Sequence, residues 1–313
     1  MQPNKSGNPI KRTFKTVLSL TVISALIIGI LLFMPDVNES STGMTEPPAI
    51  LRIGVLPNQN PEMLKKRFEP VLDYLSNYLQ LRCELIVPKS YEEMLKLFHE
   101  QKIDLAYFGG YSFIKARQND HAVPLVMRLV DTRFTSLFIV NTESPAQTLE
   151  SLEGKGIAFG SRLSTSGHLM PRYFLQQKNI HPESFFSSVQ YSGSHDKTAY
   201  WVRDGIVDVG VVNATTIRSL MDSKLIRSNE IRILWETPPY ANYVWATHRK
   251  FIDSFNLRVR NAFLQLSPDN ADHAIVLQHL NAIGYIPADP EYFDSLSTIA
   301  RNSEALLDTD KPN

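Results

Sequence analysis

One cysteine, Cys83, occurs in the 313 residues, so no disulfide can form within the chain. That fits a reducing compartment, and equally a large exported domain with enough apolar residues to need no staples. Cys83 lies between Arg82 and Glu84 in an apolar-alternating run and reads as a packed thiol. An excess of either charge is also missing: 32 basic residues meet 32 acidic ones. Without a basic surplus the chain is not a nucleic-acid binder. Metal and hydrolase signatures are absent too. There is no H-E-x-x-H, no G-x-S-x-G elbow and no Gly-Lys-Thr phosphate loop, and His168, His195 and His248 stand apart without ligand spacing. No internal repeat occurs. These absences leave an ordinary globular protein that is neither an enzyme nor a cofactor carrier.

The N-terminus carries the compartment signal. Lys5, Lys11, Arg12 and Lys15 precede an uncharged run, Thr16 to Met34, long enough to cross a bilayer. Basic residues before it and none just after it place the N-terminus in the cytoplasm. The run ends at Phe33-Met34-Pro35 without a small-x-small cleavage site, and no cysteine follows for lipidation. The expectation is a cytoplasmic stretch at 1–15, a single-pass inner-membrane anchor at 16–34 and a Pro/Ser/Thr-rich linker at 35–49, with the remainder in the periplasm. Secretion after signal cleavage is the alternative.

From residue 50 onward strand-like and helix-like segments alternate, the pattern of an α/β sheet covered by helices. Expected strands are 50–56, 83–87, 104–108, 156–159, 188–191, 207–212 and 231–235. Expected helices are 61–79, which Pro70 would kink, then 91–99, 167–177, 195–203 and 214–222. Two more, 249–266 and 270–283, complete the fold. Extended runs at 136–140 and 243–247 flank the second half. A chain that leaves one α/β unit, builds a second and returns crosses twice, and paired crossings make a hinge. The expected lobes are 50–135 plus 248–313 and 141–242, with 136–140 and 243–247 as hinge strands.

Three strand ends carry candidate binding residues. Ser164-Thr165-Ser166-Gly167 opens a helix, where hydroxyls, unpaired amides and the positive dipole end make an oxyanion cradle. A plain helix cap would need one hydroxyl, not three. His195, after Tyr191-Ser192-Gly193-Ser194, can donate to an anion, with capping and packing as the alternative for His195-Asp196. Tyr107 and Tyr111 flank the Gly109-Gly110 turn, which lets backbone approach a ligand. All three lie past the C-terminal ends of strands, where open α/β sheets bind ligands.

The stretches DLAYFGGYSFIKA, GSRLSTSGHLMPRYFL, YSGSHDKTAYWVRDGIVDVGVVN and PPYANYVW together resemble the phosphate/phosphite/phosphonate substrate-binding family of ABC importers, across about residues 51 to 290. The resemblance implies a two-lobed, type II-like periplasmic-binding-protein fold with an interlobe cleft, and an ABC permease as partner. It places Ser164, Thr165 and Ser166 on the oxyanion, with His195 and Tyr107 or Tyr111 as further donors. Aminophosphonate binders of the family hold the ligand amine with two acidic residues. Those positions fall beside Asn213, at Ala214, and at Asn242. A buried ammonium left without a counter-charge costs several kcal/mol, so the expected ligand is an amine-free phosphonate, phosphite or phosphate. The tether adds a second reading, a sensory module that signals through a membrane partner.

Overall fold

The computed structural model describes residues 47–309. The anchor expected at 16–34, the stretch before it and most of the linker lie outside the described residues. Among the described residues no helix is long and apolar enough to cross a membrane.

Eleven strands form two sheets among the described residues. The first sheet has the order β11-β4-β10-β3-β1-β2 and the second β7-β6-β8-β5-β9. In the first, β1 (Ile50–Val55) lies parallel to both β2 (Arg82–Ile86) and β3 (Leu105–Phe108), while β10 (Val244–Thr247) runs antiparallel to β3 and to β4 (Val123–Arg128). The short β11 (Tyr285–Pro287) closes the edge. In the second, β6 (Gly156–Phe159) pairs in parallel with β7 (Ser188–Tyr191) and with β8 (Val209–Asn213), and β5 (Ser136–Asn141) lies antiparallel between β8 and β9 (Ile231–Glu236). Central strands such as β3, β6 and β8 are buried along their whole length, which is why they read as continuous apolar runs rather than alternating ones.

Helices cover both sheets. α1 (Pro61–Leu79) begins on Pro61 with Asn60 as its cap and buries Leu64, Phe68, Val71, Leu75 and Leu79. The helix runs unbroken through Pro70. α2 (Tyr91–His99) and α3 (Gly110–Asp120) follow in the first lobe. The second lobe holds α4 (Met170–Gln177), the short α5 (Pro182–Phe185), α6 (His195–Arg203) and α7 (Ala214–Asp222). α8 (Asp253–Leu264), α9 (Ala271–His279) and α10 (Asp294–Thr309) return to the first lobe.

Several boundaries differ from expectation. The strands expected as hinges each sit inside a sheet, β5 in the second and β10 in the first. The chain crosses just upstream of each, at 129–135 and 237–243. These two segments pair through reciprocal backbone hydrogen bonds between Phe134 and Tyr240 at 2.8 and 2.9 Å, and Asn242 N donates to the Asp131 carbonyl at 2.9 Å. β4 escapes the sequence reading because Pro124 interrupts its pattern, and β11 because three residues carry no period. The expected helix 249–266 contracts to Asp253–Leu264 and 270–283 to Ala271–His279, and α10 is additional.

Candidate functional site

The helix expected from residue 167 begins earlier, with a π-helical turn at Thr165–Leu169 that runs into α4. Such turns recur at functional sites. Ser164 caps this one: its Oγ accepts from Gly167 N at 2.9 Å. Thr165 Oγ1 accepts from Tyr111 N, across the lobes, at 2.8 Å. Both hydroxyls have spent one acceptor position and keep their protons to donate. Gly167 is demanded by the close approach around it. A Cβ there would sit 2.8 Å from His195 Cε1 and 2.9 Å from Ser164 Oγ.

His195 opens α6 and is 1 % exposed. Its backbone amide donates to Asn58 O of the first lobe at 3.0 Å, and its Nε2 lies 3.4 Å from Ser166 Oγ. Burial pushes its pKa down to about 3, so the ring is neutral. His168, behind the cradle, is likewise held neutral at about 3, first by burial and then by Arg172. From below, Ser136 Oγ donates to the Ser166 carbonyl at 2.8 Å and lies 2.5 Å from the Tyr240 hydroxyl.

The first lobe supplies a wall of tyrosines and asparagines. Tyr107 stacks on Tyr243 with ring centroids 5.1 Å apart. The Tyr243 hydroxyl accepts from Asn58 Nδ2 at 3.0 Å and from Asn213 Nδ2 at 3.2 Å, joining the first lobe to the second. α3 has no capping side chain of its own. Asn242 Oδ1 takes Gly110 N at 3.2 Å, and Thr165 takes the next amide. Tyr91, the first residue of α2, sets its buried phenol against Ser164. The N-termini of α2, α3, the π-turn helix, α6 and α7 therefore converge, each with its positive dipole end directed inward.

Five buried polar atoms in this cluster have no protein partner: Asn58 Oδ1, Gln59 Nε2, Tyr107 Oη, His195 Nδ1 and Asn242 Nδ2. A buried polar group left unmet costs about 1–3 kcal/mol, so their concentration between the lobes marks a place built for another polar molecule. A groove of about 530 Å³ runs along the rim, past Tyr91, Ser161, Arg162, Ser192, Asp196 and Lys197.

Of the residues expected from sequence, Ser164, Thr165, Ser166, His195, Tyr107, Asn213 and Asn242 belong to this cluster. Tyr111 joins through its amide, and Lys115 lies 5.7 Å over its ring. Asn213 acts as the α7 cap, accepting from Thr216 N at 2.7 Å, as well as bonding Tyr243. Sequence reasoning missed Asn58, Gln59, Tyr91 and Tyr243. Asn58 and Gln59 follow the C-terminal end of β1, and the strand-end rule applied to the other segments would have found them.

The profile of a family described as "ABC transporter, phosphonate, periplasmic substrate-binding protein" matches residues 53–293. A probable ABC transporter phosphite-binding protein, PhnD1 of Prochlorococcus marinus (strain MIT 9301), is 30% identical over 266 residues, 81% of this chain and 90% of the relative. The phosphonates-binding periplasmic protein of Escherichia coli (strain K12) is 25% identical over 240 residues, 74% of this chain and 69% of the relative. The solved structure of the Prochlorococcus PhnD1 in complex with methylphosphonate superposes with a TM-score of 0.77 at 28% identity, covering 82% of this chain and 99% of that one.

Proposed function

The chain belongs to the periplasmic phosphonate substrate-binding proteins of ABC transporters, and from that premise we propose that it encloses a small amine-free phosphorus oxyanion (methylphosphonate, phosphite or phosphate) between its sheets. The family binds and delivers a ligand and does not convert it. The observation that carries the ligand reading is the concentration of unpartnered buried polar atoms beside the Ser164-Thr165-Ser166 helix start. The hydroxyl protons of Ser164 and Thr165, the first amides of the π-turn and Tyr107 Oη supply donors to the oxyanion. Neutral His195 with its proton on Nδ1 offers the donor that no protein group takes up, while its Nε2 accepts from the Ser166 hydroxyl. Charge-assisted hydrogen bonds of this kind are worth about 1.5–3 kcal/mol each.

Lobe 1 comprises 50–135 and 248–313 with the strand at 243–247, lobe 2 the sheet built from 136 to 242, and the lobes pivot on the two crossing segments. The run at 16–34 holds the protein at the inner membrane, N-terminus inside, next to its permease. Ala214 and Asn242 stand where a ligand amine would need carboxylates. Calorimetry with methylphosphonate, phosphite, phosphate and 2-aminoethylphosphonate tests this. At least one of the first three binds more tightly than 2-aminoethylphosphonate. Tightest binding by the aminophosphonate overturns the amine-free ligand, and no binding by any of the four overturns the site.

A further inference from the structure

One backbone group of the cradle turn has no donor in its own helix. The Ser164 carbonyl accepts from Leu169 N at 3.0 Å, and the Thr165 carbonyl from Met170 N, each five residues on. At that spacing the partner of the Ser166 carbonyl is the nitrogen of Pro171, which carries no hydrogen. The Ser136 hydroxyl fills the place, donating to the Ser166 carbonyl at 2.8 Å. A hydroxyl has one proton to donate, so Ser136 has none left for Tyr240. The Tyr240 hydroxyl, 2.5 Å away, is therefore the donor to Ser136 Oγ. All three residues are buried. Ser136 is fixed by Thr237 of the second crossing, through Ser136 N to Thr237 Oγ1 and Thr237 N to the Ser136 carbonyl, both at 3.0 Å. Tyr240, in the same crossing, pairs with Phe134 of the first.

The same segment has a second register open to it. In an ordinary α-helix the Ser166 carbonyl takes Met170 N, four residues on. The carbonyl that Pro171 then deprives is that of Gly167, and Gly160 N already meets it at 2.9 Å. These carbonyls are thus all met without Ser136. In the π register the Ser166 carbonyl depends on Ser136, and a buried carbonyl left unmet is costly. A switch to the α register would turn the helix start by roughly 100° against the rest of the helix. It would carry Thr165 Oγ1 off Tyr111 N.

We propose that Ser136 and Tyr240 are positioning residues for oxyanion binding: donating in series to the Ser166 carbonyl, they hold the cradle in its π register and tie that register to the two crossing segments. This rests on the cleft assignment made above. Neither residue needs to touch the ligand. Without the two hydroxyls the unliganded cradle settles in the α register, and a ligand must draw it back. Affinity then falls in proportion to the fraction of molecules still in the π form. The fold loses little, because the α register leaves no carbonyl unmet. A packing role for the pair gives the opposite pattern, a lower melting temperature with affinity unchanged.

The test uses full-length protein in detergent, with methylphosphonate calorimetry and melting temperature read together. Removing both hydroxyls at once, in Ser136→Ala with Tyr240→Phe, weakens binding about tenfold with little change in melting temperature. Pro171→Ala gives residue 171 an N–H for the Ser166 carbonyl, and alone it binds within about threefold of wild type. The same double change made on Pro171→Ala then costs less than about threefold, because the carbonyl keeps a donor. Tyr240→Phe alone weakens binding about threefold, again only when Pro171 is present, and keeps the test open if the double variant does not fold. Wild-type protein that binds no methylphosphonate, phosphite or phosphate removes the cleft assignment itself. Three results overturn the role of the pair alone while wild type binds: unchanged affinity in the variants lacking the hydroxyls, an equal loss with and without Pro171, or abolished binding in Pro171→Ala by itself.

Discussion

At the residue scale, burial decides what His195 and His168 can do. Both rings are held neutral with pKa values near 3. His168 donates from Nδ1 to the Arg162 carbonyl at 2.7 Å, which leaves Nε2 to accept from the Tyr191 hydroxyl at 3.3 Å. An unfolded chain titrates these rings near pH 6.5. Between that value and about 3 the unfolded state takes up protons that the fold refuses, so stability falls as the pH is lowered through this window. At pH 5 each histidine costs about 2 kcal/mol relative to neutral pH. Urea unfolding at pH 7 and pH 5 should show His195→Gln losing about 2 kcal/mol less than wild type on acidification. An equal loss in both would mean that the ring is accessible to protons in the fold. In the folded protein the ring stays neutral at any pH well above about 3, so the histidine makes no contribution to the pH dependence of binding there.

At the scale of elements, the site is a meeting of helix starts, and the asparagine at the head of α7 shows how structural and binding roles overlap. Asn213 Oδ1 caps the helix while Nδ2 reaches Tyr243. Asn213→Ala removes the cap and should lower stability by about 1–2 kcal/mol. Asn213→Asp keeps an equally good capping oxygen but places a negative charge beside the cleft. Its melting temperature should stay near that of wild type while methylphosphonate affinity drops at least about tenfold. An aspartate variant that binds normally would separate Asn213 from the ligand. Elements of this kind were largely readable beforehand. The cradle announced itself through three consecutive hydroxyls before an apolar helix, and β8 through its unbroken run of small and β-branched residues. The π-turn did not, because its extra residue leaves the apolar spacing of Leu169, Met170 and Leu175 compatible with an ordinary helix. Tyr91 was hidden by its neighbour: Ser90 accounts for the start of α2 as a cap, so nothing in the local pattern asks for a second function. Tyr243 matters through Asn58, 185 residues away, and Asn213 of the other lobe, and no local period encodes that; Asn58 and Gln59 were legible only as the residues past the end of β1.

At the scale of the whole molecule, the two lobes are joined by bonds that an open form would surrender. His195 N to Asn58 O, Tyr111 N to Thr165 Oγ1 and Ser112 Oγ to the Leu163 carbonyl all cross between them. Water can replace each of these bonds, so their net worth is modest. Met63 is different. It projects from α1 of the first lobe and packs against the second lobe's core cluster around Ile217 and Leu220, an apolar contact that water replaces poorly. It is not one of the cradle residues, yet closure that creates its contact adds free energy to ligand binding, since a ligand held only by the closed state binds in proportion to how populated that state is. Met63→Ala should therefore weaken methylphosphonate binding about three- to tenfold with little change in melting temperature of the unliganded protein. Small-angle scattering supplies the independent measure: the radius of gyration of wild type falls on ligand addition, and Met63→Ala needs more ligand to reach the same compact value. If the variant binds as tightly as wild type, or if neither protein contracts on binding, the Met63 contact is incidental packing and closure draws its energy from the ligand alone.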